Sequence, residues 1–148
     1  MKTRRAIWAV SALLAAVVLI SLLAPLLAPG DPIATDMSSR NQAPSLAHWL
    51  GTDSLGRDVA SRVLYGGRGA LLISSAATIA GMLIGIFFGS LAGWFGKAMD
   101  AAVQTLLSIF QGLPGLSISI AVVGVLGASN LSIFLAMVLT GWSGVARV

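Results

Sequence analysis

Apolar positions fall into four long stretches, separated by segments of very unequal polarity. The first, residues 6–28, is uncharged, follows Lys2, Arg4 and Arg5, and is closed by Pro25 and the Pro29-Gly30 pair. The apolar core of a signal peptide runs to roughly 15 residues, whereas a bilayer crossing needs about 20. This run is therefore read as a retained membrane helix, with a cleaved signal as the alternative. The second stretch, residues 69–95, and the third, residues 99–126, each exceed what one upright crossing requires. Gly112-Leu113-Pro114-Gly115 interrupts the third, and Pro114 predicts a kink there, because it lacks an N–H and crowds the preceding turn. The fourth, residues 131–146, would make a helix of about 24 Å against a hydrocarbon core of about 30 Å. Gly96-Lys97 and residues 127–130 read as the turns between them.

The one long polar segment lies between the first two stretches. Four of the five acidic residues and four of the nine basic ones fall between Asp31 and Arg68. Its first half, with Pro29, Pro32 and Pro44, reads as irregular. In its second half, Thr52 or Asp53 is placed to cap a helix starting near Leu55. Asp58 and Arg62 then stand four apart, acid first, the favourable order for an ion pair on a helix face. With Val59 and Val63 on the opposite side and Tyr65 at its end, this predicts a short amphipathic helix lying on the membrane surface. His48 is the chain's single histidine and has no ligand-spaced carboxylate or thiol company, so it reads as a surface side chain in a turn rather than a metal ligand.

Within the second stretch, Gly81, Gly85, Gly89 and Gly93 recur every four residues. Four residues advance a helix by about 400°, so the ladder stays on one face and lets another helix backbone approach closely. In the third stretch, Gln104, Ser108, Gln111 and Gly115 form a polar stripe just before and after Pro114. In lipid such a stripe turns inward, where it lines either a substrate path or a hydrogen-bonded seam between helices; both readings stay open.

Composition agrees with the pattern: 57% of residues are hydrophobic and 9% charged, where a soluble domain carries about 25% charged residues. The fold class expected is an all-α polytopic integral membrane protein of about four transmembrane helices, with an interfacial amphipathic helix in the first outside loop. The net charge of +4 comes from basic residues scattered singly, not from a basic cluster interleaved with aromatics, which argues against nucleic acid. Cysteine is absent, so disulfides and thiolate metal sites are excluded. No phosphate-binding loop exists around Gly96-Lys97, because Leu91 stands where its first glycine belongs and no serine or threonine follows the lysine. Gly141-Trp142-Ser143-Gly144 resembles the nucleophile site of rhomboid proteases, but a serine needs a base, and the single histidine is expected on the other side of the membrane. Asp100 has no carboxylate partner, so aspartyl protease and proton-pump chemistry are not supported. No enzyme activity, metal site or cofactor is expected of the chain.

The polar segment also carries a resemblance. His48, Leu50, Gly51, Thr52, Asp53, Gly56, Arg57, Asp58, Ser61 and Arg62 keep the spacing seen in permease subunits of ABC importers of the dipeptide/oligopeptide/nickel family, specifically their second, C-type permease. Arg68 between Gly67 and Gly69, Leu113-Pro114-Gly115 and the run from Gly141 to Arg147 extend the similarity over most of the chain. The resemblance implies an ATP-driven importer of small peptides or nickel chelates, with this chain forming part of the translocation path. It further implies a homologous permease, two cytoplasmic ATPases that bind the ATP, and an extracytoplasmic substrate-binding protein as partners.

Flanking charge places the N-terminus in the cytoplasm, with Met1, Lys97 and Arg147 inside and Asn41 outside, and the resemblance implies a bacterial-type cell membrane. The chain divides into a first helix and outside loop, residues 1–68, and a permease core, residues 69–148. Family members continue after the Gly-Trp-x-x-x-Ala-Arg segment into a cytoplasmic loop beginning Glu-Ala-Ala, while this chain has no glutamate and stops at Val148. The core is therefore expected to be incomplete at its C-terminus, as a fragment or a truncated product that does not engage the ATPases. The rival reading is a membrane anchor or assembly protein that does not transport. The substrate is not legible, since selectivity in such systems is expected to rest with the binding protein.

Overall fold

The computed structural model describes residues 2–146, with side chains from residue 4 onward. The expectations placed on Met1, Arg147 and Val148 concern residues outside those described. Among the described residues all regular structure is helical: α1 (Lys2–Leu22), α2 (Ala24–Leu27), a 3₁₀ turn (Met37–Ser39), α3 (Val59–Phe95), α4 (Lys97–Gly112), α5 (Gly115–Leu126) and α6 (Asn130–Val145). The chain is an all-α membrane protein. Two segments, Arg4–Leu22 and Val59–Phe95, are long and apolar enough to cross a bilayer. The α4–α5 pair, bent by 80°, is a third if it counts as one broken span, and α6 is a shorter apolar helix. The chain separates into two compact units, Met1–Leu71 and Leu72–Val148.

In the first unit the initial apolar run is not one helix. It breaks after Leu22 and resumes as the single turn of α2 with Pro25 in its first turn. A proline there has no N–H to lose, so it starts a turn as readily as it interrupts one. Ser21 and Ala24, both buried, form the packed side of this end, and Gly67 of α3 lies against the Ser21 hydroxyl.

The separate amphipathic helix expected near Leu55 does not exist. Residues 53–57 form a tight turn, and the helical segment begins at Val59 and continues unbroken through Gly66-Gly67 to Phe95. Glycine costs a helix only about 1 kcal/mol, and nothing between Val59 and Phe95 removes a backbone donor. At 37 residues α3 is about 55 Å long, well beyond a hydrocarbon core of about 30 Å.

The second unit is built around Trp142. Its indole sits 5.3 Å from the Phe88 ring and 5.2 Å, edge to face, from Phe110, with buried Val103 and Leu107 completing the cluster. Two elements, α3 and α4, thus meet on one side chain of α6. Ser129 caps α6 by accepting from the Ser132 N–H, and the buried Ser132 hydroxyl donates to the Gly127 carbonyl at 2.6 Å, which fixes the turn before it. The break between α4 and α5 falls at Leu113-Pro114, where Leu113 is extended, as a residue before proline prefers. From Gly69 to Ala146 the only acidic or basic side chains are Lys97 and Asp100.

Candidate functional site

Two constellations carry the sequence motifs, one in each unit. In the first unit the loop is folded by its glycines and carboxylates. Gly51 and Gly56 have φ of +74° and +73°, the left-handed region, and each presses on an opposing strand of loop. A side chain on Gly56 would fall on the Asp36 carbonyl oxygen, and one on Gly51 on that of Gln42. Backbone bonds close the same contact: Thr52 N–H donates to Gln42, Asn41 N–H to Asp53, and Val59 N–H to Gly51. The Thr52 hydroxyl accepts from the Gln42 N–H and donates to the Ser39 carbonyl. Leu50 remains half exposed beside this closure, with Trp49.

Asp53 organises the turn. Its Oδ1 accepts from the N–H groups of Leu55 and Arg57, and its Oδ2 from the guanidiniums of Arg57 at 2.7 Å and Arg62 at 2.6 Å. The hydrogen bond from Arg57 above all holds the carboxyl down at about 2, against the usual 3.8. The expected Asp58–Arg62 pair is therefore not formed: Arg62 reaches back to Asp53, and Asp58 is occupied elsewhere. Asp58, rather than Thr52 or Asp53, caps the helix, its Oδ2 accepting from the Ser61 N–H at 2.7 Å. Its other oxygen lies 3.0 Å from His48 Nδ1. A carboxylate only accepts, so Nδ1 carries the hydrogen. Burial pushes the Asp58 carboxyl up, but the Ser61 and His48 hydrogen bonds outweigh it and hold the group below the usual carboxylate range.

His48 is thus not the idle surface residue its isolation in sequence suggested. The missed signal was its distance of ten residues from a capping aspartate, a separation that carries no regular-structure meaning. Ser61, fully buried, extends the chain of contacts by accepting from the Gly30 N–H at 3.1 Å. Every residue of the motif from His48 to Arg62 singled out by spacing is placed in or beside this one knot. Among the described residues no group of three His, Cys, Asp or Glu side chains could hold a metal ion.

In the second unit the glycine ladder faces α6. A methyl group on Gly81 would meet Trp142 backbone at 3.6 Å, one on Gly89 the Ala146 carbonyl at 3.3 Å, and one on Gly85 the Val145 Cβ at 2.7 Å and Ala146 nitrogen at 3.0 Å. Gly93 has open space in front of it. The polar stripe divides. Gln111 Nε2 donates to the Ser143 carbonyl at 3.3 Å, a seam between α4 and α6. The Ser108 hydroxyl is turned onto the Gln104 carbonyl of its own helix. Gln104 borders a cavity of 710 Å³ together with Lys97, Asp100, Ser90, Gly89 and Gly93. Pro114 stands at the bend, and a methyl group on Gly115 behind it would meet the Thr140 side chain at 3.6 Å. Ser143 is buried with its carbonyl committed to Gln111, and the chain's one histidine belongs to the other unit.

No protein-family model matches the chain. Individual proteins do. It is 34% identical over 128 residues, 86% of its length, to the dipeptide transport system permease protein DppC of Bacillus subtilis. It is 33% identical over 132 residues, 89% of its length, to the oligopeptide permease protein OppC of the same organism. With the nickel permease protein NikC of Escherichia coli it shares 35% identity over 136 residues, 92% of its length. The matched part makes up 40%, 43% and 49% of those three relatives, so the chain spans less than half the length of each. Over the part it spans, the chain belongs to the dipeptide, oligopeptide and nickel permease family of ABC importers.

Proposed function

We propose that this chain is a transmembrane permease subunit of an ATP-driven importer for di- or oligopeptides or nickel chelates, and that it contributes part of the translocation path. The observation that carries the proposal is the similarity to three importer permeases over 86–92% of the chain. Two features of the molecule support it. The motif residues converge on one ordered loop, and two helices meet the length of a bilayer crossing. In this reading the loop faces the extracytoplasmic side of a bacterial cell membrane and the N-terminus and Lys97 face the cytoplasm, because the basic residues flank those ends of the apolar segments. Its partners are a homologous permease, two cytoplasmic ATPases that bind the ATP, and an extracytoplasmic substrate-binding protein.

Of the stripe residues, Gln104 offers a side chain at an open cavity, while Gln111 spends a donor on the seam to α6. Gln104 is thus the residue assigned to the path, with Ser108 and Pro114 shaping the helix that presents it. ATP hydrolysis in separate subunits would shift the helices between inward- and outward-open arrangements that differ in affinity for the cargo.

The test is genetic and biochemical together. Disrupting the gene in its native host is expected to abolish uptake of a labelled dipeptide, oligopeptide or nickel complex, and affinity capture from native membranes is expected to recover a second permease and ATPase subunits. Unchanged uptake of all three cargo classes would overturn the proposal.

A further inference from the structure

The contacts around His48 join three separate pieces of the first unit. The His48 carbonyl accepts from the N–H groups of Ser45 and Gly51, so the imidazole stands on a closed turn. Its Nδ1 meets Asp58, the cap of α3, and Asp58 in turn holds Ser61, whose hydroxyl takes the Gly30 N–H just beyond α2. The side chains in this line are covered, with Asp58 at 7% and Ser61 at 0% exposure, while the imidazole keeps 28% and so remains open to protons from solvent. A second carboxylate, Asp36 at the cap of the 3₁₀ turn, also lies within electrostatic reach of His48. The nearby guanidiniums of Arg57 and Arg62 are turned onto Asp53. Protonation would therefore place a cation 3.0 Å from the Asp58 carboxylate, while the two guanidiniums share the single carboxylate of Asp53.

We propose that His48 is a pH-responsive latch: gaining a proton, it tightens the contact between the loop and the start of α3. A neutral imidazole already donates from Nδ1, so the loop is closed at neutral pH. The proton converts that bond into a charge-assisted one, roughly twice as strong. Both carboxylates are held below the usual range by their own hydrogen bonds, Asp36 by the Ser38 and Ser39 hydroxyls, and so stay ionised throughout mildly acid conditions. Histidine is the side-chain type whose ordinary charge change falls in that range. With the loop on the outside face, acidification of the surroundings would stiffen it. The latch stands on the loop's own contacts and does not depend on what the membrane helices transport.

The experiment uses the full chain in lipid nanodiscs. Hydrogen exchange of the Gly51 and Val59 amides is measured at pH 5.5 and 7.5 and scaled for intrinsic rates. His48 is the only histidine, so its imidazole resonance reports its charge state in the same sample. The wild-type chain is expected to show about fivefold greater protection at pH 5.5, in step with titration of that resonance. His48→Asn keeps a neutral donor near the Nδ1 position and is expected to show no change between the two pH values. Asp58 is left intact because it also caps α3. Equal protection of the wild-type chain at both pH values would overturn the latch. So would an imidazole that holds one charge state, or a pH response that survives in His48→Asn.

Discussion

Replacing Gly85 by alanine tests the tightest of the ladder's contacts with α6. In an exposed helix the change would gain about 1 kcal/mol, since alanine orders the backbone at less entropic cost. Here the new methyl would lie 2.7 Å from Val145 Cβ, 2.9 Å from its Cγ1 and 3.0 Å from the Ala146 nitrogen. Neither neighbour can yield cheaply: a valine side chain is stiff at its first torsion, and a backbone nitrogen moves only with its helix. Overpacking of this kind costs about 1–3 kcal/mol. Gly93→Ala provides the reference, because its methyl meets nothing within 4 Å and keeps the propensity gain. The two variants should therefore differ by about 1–3 kcal/mol, with Gly81→Ala, at 3.6 Å, close to Gly93→Ala, and Gly89→Ala, at 3.3 Å, between them. Reversible unfolding in mixed micelles gives the ranking, followed through the fluorescence of Trp142 in a variant whose other tryptophans are replaced by phenylalanine. Should Gly85→Ala prove as stable as Gly93→Ala, to within about 0.5 kcal/mol, the α3–α6 contact is not what the ladder serves.

Three further outcomes are expected. Gly56→Ala combines a φ of +73° with a methyl aimed at the Asp36 carbonyl, and should open the loop, read as protease cleavage within residues 36–57 that Gly66→Ala does not provoke. Asp53 has its carboxyl lowered to about 2, so its contribution to loop stability is present above the unfolded value of 3.8 and is lost as pH falls from about 4 to about 2; exchange of the Gly56 and Arg57 amides should accelerate across that window in the wild-type chain, and Asp53→Asn should remove the transition. Cysteines introduced at Asn41 and Lys97 of this cysteine-free chain should react oppositely with an impermeant maleimide on intact cells, and equal labelling would refute the orientation drawn from flanking charge.

Much of this architecture was legible in the sequence because lipid simplifies the pattern. Long uncharged runs became helices, Pro114 became a sharp bend, and three of the four ladder glycines face α6. The polar loop resisted the same reasoning. Spacing of four suggested that Asp58 and Arg62 meet, yet Asp58 precedes the first helical residue, so its side chain turns inward to cap while Arg62 swings out to a carboxylate nine residues back. Helical periodicity says nothing about residues outside the helix, and the boundary itself moved from Leu55 to Val59. His48 was misjudged for a related reason. Its partner is fixed by the closure of two left-handed glycine turns, a three-dimensional fact that residue spacing does not encode. The polar stripe was seen as one feature, but the Ser108 hydroxyl bonds the Gln104 carbonyl of its own helix while the longer Gln111 side chain reaches the Ser143 carbonyl of α6.

The near absence of charge from Gly69 to Ala146 has an electrical consequence. Lys97 and Asp100, a basic and an acidic residue, stand three residues apart at the start of α4, and no other side chain from Gly69 to Ala146 is acidic or basic. Moving one elementary charge through 100 mV is worth about 2.3 kcal/mol, but a pair that cancels at close range carries almost no net charge wherever it goes. Side chains between Gly69 and Ala146 therefore draw almost no work from the membrane potential when this segment rearranges. Any voltage dependence in the motion of these helices would then have to come from charges outside that segment, such as Arg62 and Arg68 near the start of α3.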